Sequence, residues 1–524
     1  MGIAFDIKHT LKESQGSSLP TLITTVGEKS LTKGLSLWST DKKILQRRAN
    51  NILLLRNTLM TTPHFDETLA TQFQTIKENE SIFNEDKSEW KDKTSEQIFF
   101  EKGGIGENLN HIPGIVAILV FLKVYLAPIL AICTPFLIFI LPFFMLKFVY
   151  NIELPWNQYQ EMALNMFIGE RKLTVQSITK VLYFVLSMSQ SIVQPFFTAI
   201  AVKKLDTLVI QRARSIELCY KSLQNVFSVF QAAGIKCPTI PGELSSSPYV
   251  NFAQDKDMRW TTTYLGDLIG DAEVIYRLAK DTRFNRPTFV QGQGQGQEQE
   301  TTFLEIHGFH DIMIPATIAK KSSVTFTTST NHSLLTGPNR GGKSSNLRAI
   351  LQNVLWAQTY GVTPASSYKG KLFDWVISSL RVEDRPGASS LFEREIEIAT
   401  SILKRDTGTG LVLIDEIFHS TNPPDGEKSA KIFLEQLWKR KNIISCVSTH
   451  VYNIVETSPT EVQKLCAYAE EDNDDIWYSY ILQEGICKVS SVNEVLREKG
   501  LVVGAGVGAG VGAVGPLRPK PKKN

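Results

Sequence analysis

The chain has 524 residues, of which 43% are hydrophobic and 21% are charged, and its formal net charge is +3. This length and composition indicate a mostly globular protein with room for two or three domains and a large core. The nearly balanced charge excludes a strongly basic nucleic-acid-binding protein, so any contact with DNA must come from a local basic patch. The six cysteines form no CxxC pair, which favours reduced core thiols over a zinc site.

The first part of the chain, residues 1–110, is mixed and polar, with apolar residues at helical spacing around Ile44-Leu45 and Ile52–Leu55. This pattern predicts a small, mainly helical N-terminal domain over 1–110, with no residue that points to catalysis. Because no apolar run follows a basic start, we expect no signal peptide.

The next segment, residues 112–150, is almost continuously apolar and carries only Lys123 and Lys147 as charged residues. Its length exceeds the roughly 20 residues that cross a membrane as one helix, so we predict a transmembrane hairpin over 111–150. A buried core hairpin fits less well, because core helices of soluble proteins rarely run this long without a polar face.

Two membrane arrangements fit this apolar segment. Pro128, Pro135 and Pro142 would each kink or break a helix. The chain therefore either turns near Ala127-Pro128 or forms one span at about 126–149, after a lead-in at the membrane surface. If the flanking parts fold together, both ends lie on one side of the membrane, which favours the hairpin or a re-entrant pair.

Residues 151–290 are predicted to form a helical core domain. The stretch 203–232 carries apolar residues at i, i+3 and i+4 with charges between them, which is typical of long amphipathic helices. Residues 181–200 are a weaker candidate span, because two glutamines and a proline favour a packed helix there.

Two segments of biased composition interrupt or follow these domains. Residues 291–300 read QGQGQGQEQE, which predicts a low-complexity linker. Residues 504–524 repeat glycine, alanine and valine and end in basic residues. Such a tail cannot bury a core, so we expect it to be disordered.

A phosphate-binding loop is predicted directly after Ser333–Thr336, which we predict to be the end of a strand. The loop fits the pattern GxxxxGK[ST] and consists of Gly337, Pro338, Asn339, Arg340, Gly341, Gly342, Lys343 and Ser344. Glycines let the backbone curl so that several N–H groups point at phosphates, and the following helix adds its positive N-terminal end. The motif assigns Lys343 to the β- and γ-phosphates of ATP and Ser344 to Mg²⁺, and Ser345 completes the predicted ATP-binding set.

A second polar site follows the run Leu411–Ile414, which is typical of a buried parallel strand. The strand is followed by Asp415 and Glu416. A carboxylate at Asp415 can hold hydrated magnesium opposite Ser344. The next carboxylate, Glu416, can polarise the attacking water as general base.

A third apolar run, residues 443–448, is followed by Thr449 and His450. A histidine at that position can sense the γ-phosphate or help to orient the water. The predicted catalytic residues are therefore Glu416, His450 and Lys343, and the predicted metal ligands are Ser344 and Asp415.

Together these motifs resemble the MutS family of DNA mismatch-repair ATPases. The loop TGPNRGGKSS is close to the family's TGPN-x-GGKS, with Arg340 where methionine is usual. Further segments similar to family signatures follow in order, at Tyr360–Ala365, Ser390–Glu395, Asp415–Gly426, Thr449-His450 and the residues from Tyr478 onward. Outside this region the resemblance thins, and no mismatch-reading domain is evident. Residues 418–420 read Phe-His-Ser, where the family prefers Gly-Arg-Gly.

The resemblance implies an α/β P-loop NTPase domain of the ABC/MutS type over 301–503, preceded by a mainly helical region that acts as a lever. It implies homo- or heterodimers that join through this domain, with Ser390 of one subunit reaching the ATP bound by the other. It also implies ATP hydrolysis coupled to mismatched or branched DNA. With the apolar segment, these features predict a membrane-associated protein whose ATPase domain faces the cytosol.

An alternative function is a membrane-tethered, ATP-driven clamp that acts on protein or lipid partners without recognising mismatches. The apolar segment and the missing mismatch reader favour it. A transporter with an ABC-type engine is disfavoured, because two spans cannot build a pathway and the signature is not LSGGQ-like.

Overall fold

The computed structural model describes residues 21–36, 38–84, 97–100, 106–168, 175–240, 244–257, 259–290, 302–380, 390–472 and 475–500. The predicted linker, 291–300, and the predicted tail, 504–524, lie outside the described residues. The described chain divides into two compact units. A helical unit contains Leu22–Leu31 and Leu54–Tyr276, and a sheet unit contains Thr32–Leu53 and the residues from Arg277 onward.

Helices make up the first half of the chain. They are α1 (Thr25–Ser36), α2 (Lys42–Thr61), α3 (Pro63–Asn79), α4 (Ser81–Asn84), a 3₁₀ turn (Glu107–His111), α5 (Ile115–Phe121), α6 (Ala127–Phe144), α7 (Trp156–Ile168), α8 (Val175–Ala232), α9 (Pro248–Asp257) and α10 (Arg259–Lys280). Helices α3 and α9 both pack against α8. The unit division therefore differs from the boundaries predicted near residues 110, 150 and 290.

The segment predicted to turn near Ala127-Pro128 is instead one continuous helix, Ile115–Val149. Single π-helical turns, Leu122–Leu126 and Met145–Val149, flank α6 within it. The predicted turn is therefore wrong. Pro128, Pro135 and Pro142 are all accommodated inside this continuous helix, and Pro128 comes directly after the first π-helical turn.

The long helix α8 is the partner of this segment, because α6 packs against it. The prediction of a packed helix for residues 181–200 is only partly met, since the helix forms but most of its large apolar side chains there are exposed. The prediction of core thiols also needs one correction. Cys133 is exposed on α6, Cys237 is half-buried, and the other four cysteines are buried.

Strands dominate the second half. The elements are β1 (Thr288–Phe289), β2 (Thr302–Phe309), β3 (Ser322–Thr327), β4 (His332–Thr336), α11 (Lys343–Tyr360), β5 (Ser367–Gly370), β6 (Trp375–Ser379), α12 (Leu391–Leu403), β7 (Gly410–Ile414), α13 (Pro423–Leu437), β8 (Ile443–Ser448), α14 (Tyr452–Glu456), β9 (Val462–Asp472), β10 (Asp475–Glu484) and α15 (Val492–Glu498). The mixed α/β architecture on the C-terminal side, after a helical region, agrees with the predicted fold class.

The strands form two sheets. The smaller has the order β1-β5-β2-β3 and the larger has the order β10-β9-β4-β8-β7-β6. In the larger sheet β9, β4, β8, β7 and β6 are mutually parallel, and only β10 runs antiparallel, on β9. Every residue of β4, β6, β7 and β8 is buried, as expected for parallel strands covered on both faces.

Candidate functional site

Three neighbouring parallel strands bring the predicted site residues to one edge of the larger sheet. Strand β8 lies between β4 and β7 and pairs with both. Because carboxyl ends of parallel strands meet at the same edge, the loop after β4 lies beside the residues after β8 and β7. The site predicted from three separate segments is therefore one place in the fold.

The loop after β4 has the curled backbone of a phosphate cradle. Gly337, Arg340 and Gly342 have φ angles of 137°, 69° and 93°, in the region that glycine adopts most easily. A Cβ at Gly337 would lie 2.7 Å from the carbonyl oxygen of Ala467, so no larger residue fits there. The loop ends at Gly342, the N-cap of α11, whose first turn contains Ser344 and Ser345.

Lys343 is buried, and its amine points back into this loop. Its Nζ donates to the carbonyl oxygens of Gly337 at 2.9 Å and Pro338 at 3.3 Å. Burial lowers the pKa of Lys343, while the nearby carboxylates of Glu416 and Asp415 act in the opposite direction. The lysine thus supplies a desolvated cation at the centre of the cradle.

His450 joins the lysine to the predicted general base. Its Nε2 lies 3.0 Å from Nζ of Lys343 and 3.0 Å from Oε1 of Glu416. The pKa of Glu416 is lowered, first by the hydrogen bond with His450, although burial raises it. The three residues predicted to be catalytic therefore form one connected group.

Ser448, the last residue of β8, is a site residue that the sequence reasoning missed. Its buried hydroxyl donates to Oδ1 of Asp415 and accepts from the backbone N–H of Glu416, at 2.9 Å for the latter. It therefore fixes both acidic residues at once. Its position at the end of a buried strand, two residues before His450, is the signal that could have identified it.

Oxygen donors suited to magnesium lie on both sides of the site. Ser344 is half-buried in the first turn of α11, and the carboxylate of Asp415 follows β7. Hydroxyl and carboxylate oxygens are the donors that Mg²⁺ prefers. The chemistry of this donor set fits the predicted metal, which Ser344 and Asp415 would hold.

The tip of the loop faces solvent. Asn339 and Arg340 are both exposed, and Nη1 of Arg340 lies 2.5 Å from Oε2 of Glu498 on α15. An ion pair between exposed side chains contributes little to stability. It does, however, hold the loop tip against the last described helix.

Ser390 makes its described contacts within its own helix and not with Lys343, His450 or Glu416. It is the exposed N-cap of α12 and forms a capping box with Glu393, whose backbone N–H donates to Oγ of Ser390 at 3.2 Å. The hydrogen bonds described for Ser390 are with Glu393 and Arg394 only, and none reaches the phosphate loop. Among the described residues, no hydrogen bond joins Ser390 to Lys343, His450 or Glu416.

Helix α12 is nevertheless connected to the loop after Glu416. Oε1 of the buried Glu395 lies 3.1 Å from Nδ1 of His419, and Oε2 accepts from the hydroxyl of Ser420. Nδ1 of His419 also lies 2.7 Å from the carbonyl oxygen of Glu416. Both Glu416 and Phe418 have positive φ, 51° and 54°, so this loop is backbone-strained and held by side chains.

Comparison with known protein families agrees with this geometry. Residues 333–502 match MutS domain V. The matched region begins in β4 and includes the phosphate loop, the acidic pair after β7, His450 and α15. MutS domain V thus covers every predicted site residue, over about a third of the chain.

Curated relatives support the same assignment. The DNA mismatch repair protein MutS of Prochlorococcus marinus (strain MIT 9312) is 31% identical over 155 residues, which are 29% of this chain and 17% of that protein. A MutS protein of Thermus thermophilus is 30% identical over 169 residues, 32% of this chain and 21% of that protein. The mitochondrial DNA mismatch repair protein MSH1 of Arabidopsis thaliana is 32% identical over 171 residues, 32% of this chain and 15% of that protein. The chain therefore spans about a fifth or less of the relatives it matches.

Proposed function

We propose that this chain is an ATPase whose active site is the edge formed by β4, β8 and β7. The observation that carries the proposal is the convergence of Lys343, His450 and Glu416 beside a curled glycine-rich loop, at distances of 3.0 Å. The match of residues 333–502 to MutS domain V supports it independently.

Each residue has a distinct part in the proposed reaction. Backbone N–H groups of 337–342 and the amine of Lys343 bind the β- and γ-phosphates of ATP. Glu416, whose low pKa keeps it ionised at neutral pH, accepts a proton from the attacking water. His450 orients Glu416, and Ser448 holds Asp415 in place. Ser344 and Asp415 would hold magnesium, which would supply charge stabilisation for the phosphoryl group.

We further propose that the active unit is a dimer. Ser390 is exposed at the N-terminus of α12, where the helix dipole favours an anion, and the hydrogen bonds described for it include none with the phosphate loop of its own chain. A phosphate bound by a second subunit is the partner that this geometry fits.

We also propose that ATP binding and hydrolysis are coupled to the binding of mismatched or branched DNA. Support comes from the curated relatives, which are named DNA mismatch repair proteins. The test is ATP hydrolysis by detergent-purified full-length chain with no DNA and with matched, mismatched and branched duplexes. Lys343→Ala serves as the blank. Stimulation that is strongest with distorted duplexes and weakens with salt supports the proposal.

A second candidate function is favoured by the exposed apolar helices Ile115–Val149 and α8. In that case the same ATPase drives a membrane-tethered clamp that acts on protein or lipid partners. Hydrolysis that depends on Lys343 but is indifferent to every DNA would favour this candidate over the first.

A further inference from the structure

Two stretches of the helical unit have the length and composition of membrane spans. Residues 124–146 and 181–202 contain no Asp, Glu, Lys or Arg. As helices they measure about 35 Å and about 33 Å at 1.5 Å per residue, close to the hydrocarbon thickness of about 30 Å. Each is bounded by lysines, at 123 and 147 and at 180 and 203.

The apolar side chains of both stretches face outward. Only 22% of the most apolar window of Ile115–Val149 is buried, and only 11% of that in α8. Phe136 and Phe197, near the middle of the first stretch and towards the end of the second, are 65% and 69% exposed. A core helix of a soluble protein would bury these rings, and an exposed patch of this size marks a binding surface.

The buried core of the helical unit ends at the same height along the helix Ile115–Val149 and along α8. Below that level Val116 and Val120 pack with Val202 and Leu205 in one apolar cluster. A cleft between the helices places Lys123 and Ala127 beside Thr198 and Val202. The first uncharged stretch therefore begins beside the end of the second. The two stretches run antiparallel, so their boundaries coincide.

Four hydroxyl groups within the two stretches are satisfied by their own helices. Four hydroxyls donate to backbone carbonyl oxygens three or four residues earlier, at 2.7–3.0 Å: those of Thr134, Ser189, Ser191 and Thr198. Such internal pairing is what a hydrocarbon environment requires of a polar side chain.

Aromatic residues gather where the first stretch ends. Trp156 and Tyr159 of α7 pack on Phe143, with ring centroids 4.7 Å and 5.2 Å away. Tryptophan and tyrosine are enriched at the boundary between hydrocarbon and water. This cluster therefore marks the second boundary, about one membrane thickness from Lys123.

We infer that residues 124–146 and 181–202 cross a lipid bilayer as an antiparallel pair. The chain before Lys123 and the chain after Val202 lie on one side, and α7 lies on the other. The pair replaces the predicted turn within 111–150, and its second arm is the stretch that sequence analysis favoured as a packed helix. A second copy of the same helices is the competing occupant of this surface.

Cys133 is a native probe, because it is exposed in the middle of the first stretch. A nitroxide label is attached to a variant that keeps Cys133 as its only cysteine, reconstituted in vesicles of phosphatidylcholine and phosphatidylglycerol. Collision rates with oxygen and with a water-soluble nickel complex are then measured. Within a bilayer the label meets oxygen far more often than nickel.

The matched control moves the only cysteine to α7, as Asn157→Cys with Cys133→Ala. Asn157 is exposed beyond the proposed boundary, so its label should meet nickel readily. A label at Cys133 that meets nickel as readily lies in water, and one shielded from both reagents is covered by protein. Either result overturns the inference.

A second measurement uses the unsubstituted full chain and does not depend on the cysteine variants folding. Membranes from expressing cells are washed with alkaline carbonate and then with detergent. Retention through carbonate and release by detergent agree with the inference, and release by carbonate alone overturns it. Neither readout depends on ATP hydrolysis, so this inference and the proposed function can fail separately.

Discussion

The side-chain nitrogens of Lys343 and His450, Nζ and Nε2, lie 3.0 Å apart, and the same histidine nitrogen lies 3.0 Å from Oε1 of Glu416. A protonated Nε2 donates to the carboxylate, and an unprotonated Nε2 accepts from the amine, so it serves one partner at a time. The phosphate-binding cation and the general base are thereby coupled through one ring.

The first prediction concerns pH. The hydrogen bond with His450 is the largest cause of the lowered pKa of Glu416, and burial opposes it. In His450→Ala the largest lowering cause is lost while burial still raises the pKa of Glu416, so this pKa rises although Lys343 and His419 still lower it. A general base acts only when ionised, so the acid limb of the kcat profile should move to higher pH.

The measurement is kcat for ATP hydrolysis across acidic and neutral pH. His64→Ala, which removes an exposed histidine of α3, is the control and should keep the original profile. An acid limb that stays in place in His450→Ala would show that Glu416 is not the group titrating.

The second prediction concerns nucleotide affinity. Lys343→Ala removes a buried cation aimed into the loop, and ATP affinity should fall at least about tenfold, the loss of one charge-assisted hydrogen bond. Lys343→Arg should not restore it, because the wider guanidinium does not fit between the carbonyls of Gly337 and Pro338. Titration calorimetry with ATP and magnesium measures both, and wild-type affinity in Lys343→Ala would remove the lysine from the site.

The third prediction separates binding from chemistry. Glu416→Gln keeps the size of the side chain but removes the base, so ATP binding should persist while single-turnover hydrolysis falls roughly 10²–10⁴-fold. Glu461→Gln makes the same chemical change at an exposed position and should leave the rate unchanged. Turnover that survives in Glu416→Gln would require another base.

The fourth prediction concerns the dimer. If Ser390 acts on the nucleotide of the other subunit, Lys343→Ala and Ser390→Ala should each abolish activity alone. In a mixture, random pairing gives each mixed dimer one intact site, and about a quarter of the wild-type activity should return. The measurement is hydrolysis rate against mixing ratio, and a rate that never exceeds the sum of the two variants would place Ser390 outside the shared site.

The fifth prediction concerns Ser448. Its hydroxyl holds Asp415 and the backbone of Glu416, so Ser448→Ala should raise the magnesium concentration needed for half-maximal activity by about tenfold or more, the loss of one hydrogen bond to a charged group. Ser448→Thr keeps the hydroxyl and should restore the magnesium response.

Ser445→Ala is the matched control for Ser448→Ala. Ser445 is buried on the same strand, but its hydroxyl bonds Nδ1 of His332 at 2.8 Å rather than a site residue. This variant should lower stability without moving the magnesium requirement. An equal rise in the magnesium requirement of both variants would mean that Ser448 contributes only by stabilising strand β8.

The sheet edge could be predicted because its signals are local. The apolar runs before Gly337, Asp415 and His450 are strands β4, β7 and β8, and the helix predicted after the loop is α11. Buried parallel strands appear in a sequence as short apolar runs followed by polar residues, so each of these three strands could be recognised from its own residues. Ser448 was missed because the partners of its hydroxyl, Asp415 and Glu416, follow the neighbouring strand β7, and only the pairing of β7 with β8 brings them together.

The apolar helices could not be placed from local signals. Proline marks a lost backbone donor, but whether a helix breaks at Pro128 or continues through it depends on what packs beside it. Here the partner is α8, far along the chain, and the alignment of Lys123 with Val202 appears only in three dimensions. The capping box of Ser390 with Glu393 is a local S-x-x-E pattern, whereas a contact of Ser390 with a second subunit can be seen neither in the sequence nor in one chain.

The positive φ at Phe418 has a kinetic consequence. The left-handed backbone costs about 1–2 kcal/mol, and burial of the ring, which is 5% exposed, offsets it by about 2–3 kcal/mol. The ring packs between Phe392 of α12 and Phe433 of α13, at 5.9 Å and 6.3 Å. Any opening of this loop that moves Phe418 must pull its ring out of the core, so such an opening carries a large activation enthalpy.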